Sequence, residues 1–167
     1  MSVTRARSRP GPWILTAAAT AVSAYALDGV ATAAGVALVA SGLLAGLSQP
    51  LLLAILAVSY LGWFVGMRVN LAANWALLCR TGASTNVLSK AAYEMAAPHR
   101  RRWAASAGYV LCELAKEVPY YVGAFGADLA TDAVSPGDAL VFLAGTNAGA
   151  ALYELGLAWL TRAFLAR

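Results

Sequence analysis

The sequence predicts an all-α fold: an integral membrane four-helix bundle with both termini cytosolic and a short amphipathic helix in the cytosolic loop. Three observations predict it. The 167 residues are 60% hydrophobic and only 12% charged, with a mean hydropathy of +0.66. A soluble domain carries about 25% charged residues. The apolar residues then fall into four long stretches, over about 13–40, 50–78, 103–126 and 138–162, and a helical crossing takes roughly 20 residues. Finally, ten of the twelve Lys and Arg residues lie in the N-terminal tail, between Arg80 and Arg102, or at the C-terminal end. Basic residues mark the cytosolic side, so one chain of 13–167 forms a single transmembrane domain in the cell (inner or plasma) membrane.

Residues 1–12 are a cytosolic basic tail carrying Arg5, Arg7 and Arg9 and ending in Pro10-Gly11-Pro12. Arginines before an apolar run also open a signal peptide. Here the run from Trp13 to Leu47 has Asp28 as its only charge and far exceeds a signal core, so it reads as an uncleaved first span. Its length leaves two arrangements. Either one tilted helix ends near Ala40, with Ser41 to Gln49 as an outer connection, or two short spans turn at Asp28-Gly29. The second would place Arg5, Arg7 and Arg9 outside, so four spans are the better reading.

Pro50 opens the second span, which contains Arg68, Asn70 and Asn74. In the polar segment that follows, Ser84-Thr85-Asn86 offers caps to a short helix over 87–97. Its Leu88, Ala91, Ala92 and Met95 recur at helical spacing, as in a helix lying on the membrane surface. Trp103 begins the third span. Asp128, Asp132, Asp138 and the turn Ser135-Pro136-Gly137 separate it from the fourth. Trp13, Trp75, Trp103 and Trp159 fall near the inner boundary, as an aromatic belt does.

Charges inside spans are costly and point to function or to pairing. With Trp103 at the interface, Glu113 lies about 15 Å deep, near the midplane. Glu113 and Glu117 share a helix face, with Lys116 beside them, and Pro119 kinks the helix beyond. Asp28 is expected at the depth of Lys116 and Glu117, forming a cluster in the outer half. Asn147 is expected near the depth of Glu113. Arg68 and Glu154 both fall within about 5 Å of the inner interface and are candidates for an ion pair, unless Arg68 snorkels to headgroups. Gly62-Trp63-Phe64-Val65-Gly66 and Gly145-Thr146-Asn147-Ala148-Gly149 let backbones approach closely, either within the bundle or between copies in a homo-oligomer.

Several functions lack their residues. The single His99 sits in a basic loop, which excludes Ser/His/Asp chemistry and a His-based metal site. Neither a Gly-rich phosphate loop nor an Asp-rich magnesium motif occurs, so no cofactor, no metal and no enzymatic activity are expected. Cys79 and Cys112 match no metal spacing or disulfide framework. The net charge of +4 resides in clusters at the membrane surface. They are suited to anionic lipid headgroups rather than to nucleic acid.

Leu47-Ser48-Gln49-Pro50 before span two, then Asn70, Asn74 and Trp75, and the terminal Trp159-Leu160-Thr161-Arg162-Ala163-Phe164 resemble the GtrA family of small four-span membrane proteins. The likeness covers the chain in layout. It implies a role in moving or presenting polyprenyl-phosphate-linked sugars during envelope biogenesis. The Glu113 to Glu117 stretch has no counterpart in that pattern. Two functions are therefore expected as alternatives: translocation or presentation of a polar or lipid-linked substrate, or a non-transporting accessory subunit that scaffolds a membrane enzyme or complex.

Overall fold

The structure, a computed structural model, describes residues 10–85 and 134–167. Three helices account for nearly all of them: α1 (Pro10–Ser41), α2 (Gln49–Thr81) and α3 (Pro136–Leu165). Each is long and apolar enough to cross a membrane. The expected third span over 103–126 and the amphipathic helix over 87–97 lie outside the described residues.

Local sequence explains where each helix starts and stops. α1 runs unbroken through Asp28 and Gly29, so the turn considered there does not form. It ends where the Ser41 hydroxyl donates back to the Leu38 carbonyl at 2.7 Å. Before α2, Ser48 is extended and Pro50 occupies the first turn, where its missing N–H costs nothing. α2 stops at Gly82, whose φ of 71° is the left-handed conformation a helix terminus favours and glycine adopts freely. Ser135 caps α3 by accepting the Asp138 N–H at 3.0 Å. Asp138 also places a carboxylate beside the positive end of that helix.

The helices contain 32, 33 and 30 residues, so they span about 45–50 Å against a hydrocarbon core of about 30 Å. Their ends extend a few residues past the purely apolar stretches for this reason.

α3 is the central one of the three described helices. Half of its most apolar window is buried, against 17% for α1 and 22% for α2. α2 lies parallel to α3. Leu52 approaches Gly137 at one end, Gly66 meets Ala151 and Glu154 in the middle, and Arg80 donates to the Leu165 carbonyl at the other end. α1 lies antiparallel: Gly35 meets Phe142 and Thr146, Ala34 and Val30 meet Gly149, and Ser23 and Tyr153 share a hydrogen bond of 3.0 Å. The buried cluster of Trp63, Met67, Leu71, Ala150 and Ala151 joins α2 to α3, and Leu27 and Ala31 of α1 pack against it.

Lipid gives helices no hydrophobic reason to associate, so close backbone approach has to hold them. A Cβ at Gly145 would stand 2.7 Å from the Gly35 Cα, and one at Gly149 would stand 2.6 Å from the Ala34 Cβ. A Cβ at Gly66 would come within 3.0 Å of the Ala151 carbonyl oxygen. Both small-residue patterns are therefore used inside the chain. Leu15, Val22, Tyr25, Leu61, Leu152 and Phe164 point outward, as residues facing lipid do.

Candidate functional site

Between α2 and α3 runs a buried track of polar side chains. Asn70 and Asn74 are one turn apart on α2, and both are buried together with Glu154 of α3. The Asn70 amide donates to Glu154 Oε2. Asn74 Nδ2 donates to Asn70 Oδ1 at 2.8 Å. Asn74 Oδ1 in turn accepts from Thr85 Oγ1 at 2.7 Å, from the Thr85 N–H at 2.9 Å and from Ser84 Oγ at 3.2 Å. Every donor in this series points toward Glu154. Hydrogen bonds aligned in one direction polarise one another. Asn70 and Asn74 can hold this relay because residues four apart share a helix face.

The chain beyond α2 folds back to complete the track. Gly82 turns it, and the Thr81 hydroxyl accepts from the Ala83 N–H at 3.2 Å. Ser84 then reaches α1, where its N–H donates to the fully buried Thr16 Oγ1 at 3.1 Å. The Thr20 hydroxyl donates to the Thr16 carbonyl at 2.7 Å. One polar cluster thus ties the start of α1, the C-terminal half of α2 and the middle of α3.

The expected pairing of Arg68 with Glu154 is not made. Arg68 is exposed, whereas Glu154 is buried and takes its bond from Asn70. Arg68 and Asn70 sit at nearly the same depth, but two residues along a helix turn the side chain through about 200°. Depth alone therefore assigns the wrong partner. Asp28 is exposed on α1. Glu113, Lys116 and Glu117, with which Asp28 was expected to cluster, lie outside the described residues. Asn147 is buried on α3 and donates to the Leu143 carbonyl at 2.8 Å, while its Oδ1 has no partner. The sequence did not single out Thr16 at all. It marked Ser84 and Thr85 only as helix caps. Their hydroxyls beside an in-span Asn were the available signal.

Among the described residues no three His, Cys, Asp or Glu side chains come together as metal ligands. The Asn–Glu track can accept, donate and orient protons or hydroxyls, and it supplies no redox or metal centre of its own. No family profile, curated protein or solved structure matches the chain.

Proposed function

We propose that this chain is a four-span cell-membrane protein, with both termini cytosolic, that translocates or presents a polar or lipid-linked substrate in envelope biogenesis. The observation that carries the reading is Glu154: a carboxylate buried in a membrane-length helix and approached by an aligned series of amide and hydroxyl donors. An ionisable group at such a site persists when it serves a pathway for a polar group. In the GtrA-like form of this reading the substrate is a polyprenyl-phosphate-linked sugar, whose hydroxyls the track matches in kind.

The parallel course of α2 and α3 supports four spans. If both cross the bilayer in the same direction, the chain joining their opposite ends has to return across it. That return falls on the stretch containing Glu113, Lys116 and Glu117.

A second reading, a non-transporting accessory subunit, is favoured by Asn74 Oδ1. Three donors already occupy that oxygen, which suits a structural clamp. Glu154→Gln separates the two readings, because Gln keeps the shape and the acceptor oxygen but cannot ionise. In vesicles holding a fluorescent polyprenyl-phosphate sugar, a translocase exposes inner-leaflet label to an added quencher. Loss of that exposure in folded Glu154→Gln supports the first reading. Wild-type vesicles that quench only outer-leaflet label overturn it.

A further inference from the structure

We propose that the groove between α2 and α3 at the level of Asn147 binds an uncharged lipid through a hydroxyl or amide donor carried at mid-membrane depth. The groove holds about 450 Å³ and is lined by Leu53, Leu56, Ala57 and Tyr60 of α2 with Leu143 and Asn147 of α3. That is within the range of small-molecule sites, about 300–1,000 Å³. Asn147 is 3% exposed, and its Oδ1 is buried without a hydrogen-bond partner. Leaving a buried acceptor unsatisfied costs about 1–3 kcal/mol, and bilayer hydrocarbon offers nothing to relieve it.

The chemistry of the missing partner follows from the amide itself. The other end of the Asn147 side chain faces the Leu143 carbonyl at 2.8 Å, and only the NH₂ can satisfy an acceptor. The free end is therefore oxygen, and it calls for a donor. A phosphate or carboxylate oxygen has none to give. Asn147 stands eleven residues into α3, about 16 Å from that end of the helix and about 5 Å from its midpoint, which is well inside a hydrocarbon core about 30 Å thick on which the helix is centred. Charged headgroups do not rest there, whereas a neutral hydroxyl or amide on an apolar chain can.

The lining also selects a thin occupant. A packed helix needs small residues to come close. The small residues of this bundle are engaged with one another at Gly35, Gly66, Gly145 and Gly149. The groove is walled mainly by three leucines and a tyrosine, with Ala57 as the one small residue among the described lining, and Leu53 is half exposed, so the opening faces the lipid side. A single acyl or prenyl chain fits that description. This site is separate from the Glu154 track and does not depend on the reading given for it.

The test uses the full chain in nanodiscs with a long-chain alcohol bearing a photoreactive diazirine, and with the methyl ether of the same alcohol, which lacks the donor. The alcohol should label residues 53–60 and 143–147 on the order of tenfold more efficiently than the ether, the worth of one hydrogen bond to an otherwise unsatisfied acceptor. Asn147→Leu should erase the difference between the probes, and Ala57→Trp, which fills the groove, should remove labelling by both. Equal labelling by alcohol and ether on the native protein overturns the proposal, whether or not either variant folds. So does labelling of the groove by the alcohol that survives Ala57→Trp.

Discussion

Asn74 holds together more of the described structure than its size suggests. Its amide bridges to Asn70, and its oxygen receives the chain returning after Gly82. Asn74→Ala leaves the Thr85 N–H and the Asn70 Oδ1 without these partners. Thermal unfolding in detergent should show a loss of about 2–3 kcal/mol. Arg68→Ala, six residues earlier and on an exposed face, should stay within about 0.5 kcal/mol of wild type. An equal loss for the two variants would mean that Arg68 does bond to a buried group. Glu113→Gln belongs to the same scale: the protein should insert at normal levels yet lose translocation. Retained translocation at normal membrane levels would remove Glu113 from the substrate path. Residue-level roles were the least legible part of the sequence. The depth of Glu154 could be counted from its position, but the rotation of each helix about its axis could not. That rotation decides between Arg68 and Asn70. Thr16 offered no signal, since a lone Thr in an Ala-rich span looks like any other.

The three described helices, by contrast, were readable to within about three residues at each end. Long apolar runs, Pro50, Ser135-Pro136 and the terminal glycine act locally, and nothing in the bundle overrides them. The choice of which helix meets which was not readable, because a pair of glycines four apart does not name its partner. Gly145 and Gly149 are met by Gly35 and Ala34, in a stretch with no such pattern of its own. Gly149→Val should push α1 off α3 and destabilise by about 2 kcal/mol or more. Gly29→Ala is the matched control. It lies inside a helix with nothing within 4 Å of the added methyl, so it should be neutral or stabilise by about 0.5–1 kcal/mol. If Gly149→Val unfolds no earlier than Gly29→Ala, the close approach of α1 and α3 is not what holds them.

At the scale of the molecule, orientation is the property to establish first. A reporter fused after Arg167 should be active in the cytosol, and one inserted near Asp132 should be active outside. Both on one side would remove the four-span arrangement. The arginines predict an orientation, since the rule that reads it counts charges without needing contacts, and the two fusions test it. The central place of α3 was not legible. All three described helices are comparably apolar, and only packing distinguishes the one in the middle.

That central place bears on biogenesis. The backbones of α1 and α2 hardly approach each other; each leans on α3, which leaves the ribosome after both. Until it arrives, the glycine at position 35 and the Asn70 amide lack the partners that α3 gives them in the finished chain. An intermediate arrested before residue 136 should therefore be recognised by membrane quality-control proteases and turn over faster than the finished chain. Supplying α3 as a separate polypeptide should protect it.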